Sequence, residues 1–313
     1  MTMKTAVMGE TAAALERALD PGCVERFRAW LDGPLAVVAS GGSFTAALLW
    51  ASLHESAGHA AWAMTPYAFS ERSLPAGTRV LFLSVSGHHH DIIRTARLAR
   101  LRGCDARAVT SRSDSPLARS VTRDGSPDAA FVTPEPRYAD GLIAVHGIVT
   151  FAVLAARMYA GSGPWAPCFE VDGAAMPTQV PGFVVALGAG AAEPAAVDFA
   201  NKCQEAGLAP AWQTDVRHFS HGQWMTLHDA GTGVLLVAFA TRSQRPYLER
   251  FAAVLPSSVP LLPIVVDTEG APAALSLLAR SMRSFEELAA RGRGAPTLET
   301  IPAWGRGLYE LEP

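Results

Sequence analysis

Val37-Val38-Ala39-Ser40-Gly41-Gly42-Ser43 and Val184-Val185-Ala186-Leu187-Gly188-Ala189-Gly190 are the two stretches on which the fold turns. Each is an apolar, Val-rich run that ends in a Gly-rich turn and passes into a helical pattern. Branched Val side chains favour a strand, and Gly lets the backbone reverse sharply at its end. The second stretch begins 147 residues after the first. Trp62 with Phe69-Ser70-Glu71 likewise returns as Trp212 with Phe219-Ser220-His221, at an offset of 150. Two near-constant offsets point to a duplicated α/β unit.

Outward from these turns, apolar runs alternate with helical periodicity. Strands are expected over 35–40, 80–86, 106–110 and 129–132, with helices over 44–56 and 90–101 between them. The second half repeats the style, with a strand over 183–187, a helix over 194–206, strands over 234–238 and 261–266, and a last helix over 272–290. Near-continuous apolar strands, each followed by a helix, imply parallel sheets covered on both faces. The expectation is an α/β protein of two tandem three-layer α/β/α sandwiches, each with a five-stranded parallel sheet. Residues 1–32 form an N-terminal helical segment, broken at Pro21-Gly22, and 33–160 the first domain. The Gly- and Pro-rich stretch 161–181 reads as a linker, and 182–313 as the second domain with its tail. A ligand crevice is expected at the C-terminal ends of the strands.

Composition narrows the function. The chain has 313 residues, 49% of them apolar and 18% charged, which suits a packed core rather than disorder. A net charge of −3 supplies no electrostatic footprint for nucleic acid. The apolar stretch 142–159 is interrupted by His146 and Arg157, so a buried helix is expected there and no membrane span. Cys23, Cys104, Cys168 and Cys203 lie far apart, as free thiols in a reducing cytoplasm would. Glu10 and Glu16 arrive before any apolar region of a signal peptide develops.

Two of the strand-end turns could carry chemistry. Ser40-Gly41-Gly42-Ser43 and Ser84-Val85-Ser86-Gly87 each place hydroxyls and backbone N–H groups at a helix start, where an anion is favoured. Either alone also reads as ordinary helix capping. As a pair in one α/β unit they read as an anion site.

With these residues in view, the chain resembles the double sugar-isomerase-domain (SIS) family over roughly residues 30–300, above all the isomerase half of glucosamine-6-phosphate synthase. The family's phosphate turns run approximately C-G-T-S and S-Q-S-G-E-T. The resemblance therefore implies tandem SIS-type domains and a sugar phosphate held by Ser43, Ser84 and Ser86, with Gly42, Gly87 and His89 beside them. Val85 stands where the family has Gln, and His89 where it has Thr. The second half matches G-x-G, K-x-x-E and H-G as Gly188-Ala189-Gly190, Lys202-Cys203-Gln204-Glu205 and His221-Gly222. The match implies that Glu205 moves a proton between sugar carbons and that His221, from a second subunit of a homodimer, opens the ring. It assigns Lys202 as the electrostatic partner. Glu71 stands where His221 stands in the other copy and is a further candidate, for the site or the dimer contact.

Residue chemistry runs the same way. Lys202 and Glu205 are three apart and share a helix face. Aldose–ketose isomerisation needs a carboxylate or imidazole that shuttles a proton, and a cation that stabilises the enediolate. Lys4 and Lys202 are the only lysines against twenty-four arginines, so a retained Lys suggests a task Arg does not serve. A solvated ion pair is the plainer reading of the same spacing. The synthase's tail lysine, which forms an imine, has no counterpart; the only cation in 301–313 is Arg306. With no glutaminase of its own, the chain is expected to isomerise a sugar phosphate through an enediol(amine), or to remove its amine as deglycases do. The alternative is a non-catalytic phosphosugar sensor.

The remaining polar clusters receive plainer readings. No cofactor is required. His88-His89-His90-Asp91 suggests a metal, but neighbouring helical residues diverge by about 100°, so three histidines cannot face one ion and no metal is assigned. His89 or His90 is instead expected to donate to the phosphate. Arg94, Arg97, Arg100 and Arg102 read as a solvated helix face, and Trp62 and Trp212 as core residues.

Overall fold

The computed structural model describes residues 5–122, 129–136, 138–230, 233–292 and 303–309, excluding the side chains of 228–230, 303, 306 and 309. Helices α1 (Met8–Ala18) and α2 (Pro21–Trp30) lead in, with Asp20 capping α2 by accepting from Cys23 N at 2.7 Å. Then follow β1 (Leu35–Val38), α3 (Gly42–Ser56), β2 (Ala61–Met64), α4 (Pro66–Ser70), β3 (Arg79–Leu83), α5 (His90–Leu101), β4 (Asp105–Thr110), α6 (Pro116–Val121), β5 (Ala130–Val132) and α7 (His146–Ala160). The second half holds β6 (Phe183–Leu187), α8 (Glu193–Glu205), β7 (Ala211–Thr214), α9 (Val216–His218), α10 (Met225–Ala230), β8 (Val234–Ala240), α11 (Arg245–Val254), β9 (Leu261–Val265), α12 (Gly270–Ala289) and α13 (Ala303–Tyr309).

The chain divides into two compact units. One comprises Glu10–Asp140, His146–Trp165 and Ile301–Pro313; the other comprises Met1–Gly9, Gly141–Val145 and Ala166–Thr300. In the first unit the sheet runs β2-β1-β3-β4-β5, all parallel. Alternate strand residues point to opposite faces. Ala36, Val38, Val80, Phe82 and Ala108 pack with Phe69 of α4, Ile92 and Ala96 of α5 and Leu117 of α6. Helix α3 packs against the strands and against α7, burying Trp50 and Phe151 completely. Helix α7 starts at His146, several residues into the apolar stretch, and among the described residues no helix is long and apolar enough to cross a membrane.

The second unit's sheet runs β7-β6-β8-β9, again all parallel, repeating the order of the first four strands of the other sheet. Four strands, not the expected five, are found among the described residues. Val184, Ala186, Val237 and Ile264 face Phe199 of α8 with Leu277 and Phe285 of α12. Val185, Leu187, Leu236 and Ala238 face Phe219 and the α11 residues Leu248 and Phe251. Helix α12 is 20 residues long, contributes thirteen buried residues and packs chiefly over α8, which itself lies on β6, β7 and β8. Trp62 and Trp212 occupy the same second position of β2 and β7, and both pack against core clusters.

One buried histidine is expected to make the stability of the first unit depend on pH. His54, fully buried at the end of α3, lies 2.7 Å from the Gly33 carbonyl through Nε2 and 2.8 Å from the Tyr159 hydroxyl through Nδ1. This pattern suits a neutral ring whose Nε2–H donates to Gly33 O while Nδ1 accepts from Tyr159. Burial pulls the His54 pKa below its usual value, so the unfolded chain binds the proton more readily than the folded one. The stability contributed by the neutral ring is present above pH about 6.5 and is lost as pH falls below it. Urea midpoints of wild type should therefore drop between pH 7.5 and 5.5 more steeply than those of His54→Gln. Parallel pH dependences would refute this assignment.

Candidate active site

Strands β1 and β3 are neighbours, with Val38 paired to Phe82, while the chain leaves β1 toward β2 on the other side. This is a topological switch point, where the turns after two adjacent parallel strands diverge and leave a crevice. The turns there are 40–43 and 84–87. Helix α3 starts with Gly41 as its N-cap, no side chain caps it, and half-buried Ser43 is its second residue, next to Gly42. In the other turn Ser84 Oγ accepts from Gly87 N at 3.1 Å and Ser86 Oγ accepts from His88 N at 3.4 Å. A hydroxyl that accepts from the backbone keeps its own proton to donate, so both serines remain able to bind an anion. Gly87 has φ +64°, and a Cβ there would stand 2.5 Å from Ser115 Oγ, so no other residue fits without displacing α6.

Val85 has a structural task. Its carbonyl accepts from Thr110 Oγ1 at 3.0 Å and Ser111 N at 2.9 Å. Its side chain seats the start of α7, so closely that a Cβ on Gly147 would come within 2.7 Å of Val85 Cγ2. Asp140 caps that helix, accepting from His146 N and Gly147 N at 2.7 and 2.8 Å. His89 is the N-cap of α5, its ring stacked on His90. Glu71 is exposed at the C-cap of α4, which follows β2. The Arg306 side chain lies outside the described residues. Arg102 departs from the solvated reading: its guanidinium donates to the carbonyls of Phe69, Ser70 and Arg72 and ties α5 to the end of α4.

In the second unit the Gly-rich turn is built differently. A Cβ on Gly188 would stand 2.7 Å from Ala192 O and 2.9 Å from Ala196 Cβ, so this glycine serves close packing of α8 on β6. The turn after it carries no hydroxyl, and Gln244 Nε2 donates to Ala189 O at 2.9 Å. A group of titratable side chains lies at the other end of α8. Lys202 is buried and paired with Asp198, four residues earlier on the same face. Ser281 of α12 donates to Asp198 Oδ2 at 3.1 Å. Burial pushes the Asp198 carboxyl up, against the opposing pull of Lys202 and Ser281. Asp198 was not singled out from the sequence, although its i,i+4 spacing to Lys202, the only lysine among the described residues, is the signal that finds it.

Glu205 ends α8 at the surface. Its carboxyl is still partly desolvated by surrounding protein, which pushes its pKa up; Lys202 draws it back down and Asp198 adds to the rise. The buried Cys203 thiol is pushed up to about 12 and is inert.

His221 sits in the kinked turn Phe219–Gln223, where it and Gly222, at φ +127°, leave helical geometry and Phe219 anchors the segment in the core. His221 is exposed. Glu205 precedes the start of β7 and His221 follows its end. A four-residue strand spans about 13 Å, so Glu205 and His221 lie beyond opposite ends of the edge strand β7.

No protein-family model matches the chain, and no curated protein matches it in sequence. Solved structures do. The C-terminal domain of glucosamine-fructose-6-phosphate aminotransferase from Francisella tularensis superposes with a TM-score of 0.71 at 13% identity, covering 94% of this chain and 96% of that one. The chain shares the fold of that domain. Glucosamine-6-phosphate deaminase from Thermotoga maritima shares this SIS-type fold with a TM-score of 0.69 at 15% identity, over 94% of this chain and 96% of that one. Tagatose-6-phosphate ketose/aldose isomerase from Escherichia coli gives 0.68 at 16%, over 97% and 100%.

Proposed function

We propose that the protein is a sugar-phosphate aldose–ketose isomerase, or an amine-removing deglycase or deaminase of the same mechanism. The observation that carries the reading is the pair of hydroxyl-bearing turns at the switch point of the first sheet. Ser43, Ser84 and Ser86, with the amide of Gly42, hold the phosphate there; Gly87 shapes the turn by donating to Ser84, and His89 stands beside it. Solved structures of the same fold include an aminotransferase domain, a deaminase and a ketose/aldose isomerase, all acting on hexose phosphates by name.

Glu205 is the proton shuttle. It takes the proton from the carbon next to the carbonyl, leaving an enediol or enediolamine, and returns it to the neighbouring carbon. Desolvation of its carboxyl favours this role, because a stronger base at neutral pH removes a carbon-bound proton more readily. Lys202 lies three residues before it in the interior and supplies positive charge beneath it. His221 opens the ring. Because Glu205 and His221 lie beyond opposite ends of β7, we assign the His221 that serves a given Glu205 to a second copy of the chain in a homodimer.

The test is proton exchange in deuterated water, followed by NMR at C1 and C2 over a panel of hexose, pentose and amino-sugar phosphates. Enolisation washes deuterium into the accepted sugar even when the net product is unknown. Thermal stabilisation by one sugar phosphate with no wash-in from any would favour the alternative, a phosphosugar sensor.

A further inference from the structure

The run His88-His89-His90-Asp91 enters α5, and the reading above uses only its edge. The divergence of consecutive residues holds inside a helix, and His89 lies outside it. As the N-cap it has extended backbone, with φ −66° and ψ 131°. That change of direction brings the imidazoles of His89 and His90 over one another, with centroids 4.5 Å apart and planes 26° apart. Asp91 comes to the same place, its Oδ1 3.0 Å from His90 Nε2 and its Oδ2 3.7 Å from His89 Nδ1. One ligand atom from each of the three residues lies within 4.8 Å of the others. His88 takes no part, since its Nδ1 is turned back to the Ser86 carbonyl at 2.6 Å.

Asp91 Oδ1 is buried and faces His90 Nε2 at 3.0 Å without a well-directed hydrogen bond. A buried carboxylate oxygen left in that condition is costly, and a bound cation removes the cost. The spacing suits one. Two ligand atoms about 2.1 Å from a common ion in a tetrahedron stand about 3.4 Å apart, and His90 Nε2 and Asp91 Oδ1, at 3.0 Å, need only a small separation to reach it. The nearly parallel rings need a modest side-chain rotation to converge, which their half-exposed position permits.

We propose that His89, His90 and Asp91 hold one divalent transition-metal ion, of the zinc, cobalt or nickel class, at the entrance to α5. Two imidazoles and a carboxylate form a borderline donor set that these ions accept, whereas magnesium and calcium take oxygen. Three protein ligands leave a position open. The site adjoins the turn 84–87, so an anion oxygen is the fitting further ligand. A helix N-terminus opposes a cation, and the Asp91 charge offsets that opposition, so the affinity is expected to be on the order of micromolar.

The full chain, without a polyhistidine tag and freed of metal by chelation, is titrated with Co²⁺ and then Zn²⁺ in the absence of any sugar phosphate. The expected result is one Co²⁺ per chain with visible absorption, displaced by Zn²⁺. His90→Gln and Asp91→Asn should each weaken binding about 10-fold or more, whereas His88→Gln should leave it unchanged. Thermal unfolding of each metal-free variant checks that it is folded. Three results overturn the assignment: no saturable binding below about 1 mM, a folded His89→Gln/His90→Gln double variant that binds like wild type, or equal loss with His88→Gln. No ligand is shared with Glu205 or His221, so failure of the isomerase assay leaves this result standing.

Discussion

Glu205→Gln is expected to cut deuterium wash-in at C2 of the accepted sugar phosphate by about 10²–10⁴-fold, the range lost when a positioned general base is removed. Gln keeps the size and hydrogen-bonding of the side chain and cannot take a proton from carbon. Since the carboxyl lies at the surface and ends its helix, the substitution leaves the core of the second unit intact. Stability should follow a definite sign. A carboxyl raised by burial stabilises the fold while it is protonated, and that contribution is lost as pH rises through its folded-state pKa. At neutral pH the Gln variant should thus be no less stable than wild type. The wild-type exchange rate should rise with pH along an acid limb displaced upward from the ordinary glutamate value, because the active form is the ionised one. An exchange rate in Glu205→Gln within about threefold of wild type would place the base elsewhere.

Lys202→Met should destabilise the second unit by about 3–5 kcal/mol, read as a fall in the urea midpoint. The ammonium is buried and paired with Asp198, so its removal leaves that carboxyl in the interior with only Ser281 to donate to it. Asp198→Leu/Lys202→Met replaces both charges with apolar groups of similar size and should recover most of the loss, because neither partner is then stranded. The double variant also separates structure from catalysis. If the cation beneath Glu205 assists the reaction, exchange stays depressed in the folded double variant. Full recovery of exchange together with stability would make the pair a structural feature alone.

The alternation of strand and helix was legible because parallel strands buried on both faces read as continuous apolar runs. Val184–Leu187 and Val234–Ala238 are buried at every position. The edge strands β2 and β7 escaped the same reading. Each is only four residues long and half-buried at two or more positions, so Trp62, Trp212 and Gln213 blur the apolar signal. Among the described residues the second sheet stops at four strands, a count that depends on pairing partners and not on any local run.

At the candidate site the residue types and their spacing were readable in the chain itself: hydroxyls after β1 and β3, and Lys202 three residues before Glu205. Their surroundings were not. Spacing along α8 is equally compatible with a solvated ion pair, and only the packing of α12 over α8 buries Lys202 and brings Ser281 to Asp198. Val85 reads as a lost ligand until Gly147 is found packed against it.

Sequence alone thus determined the α/β class, the two Gly-rich turns and the chemical groups available, because backbone preference and hydrophobic period are local properties. Tertiary structure alone decided that the turns after β1 and β3 adjoin, that Glu205 and His221 lie beyond opposite ends of the edge strand β7, and that His89 leaves the helix to meet His90 and Asp91. Those outcomes depend on strand order, burial and the direction of the chain at a cap, and each is set by contacts between residues distant in sequence or by a single backbone angle.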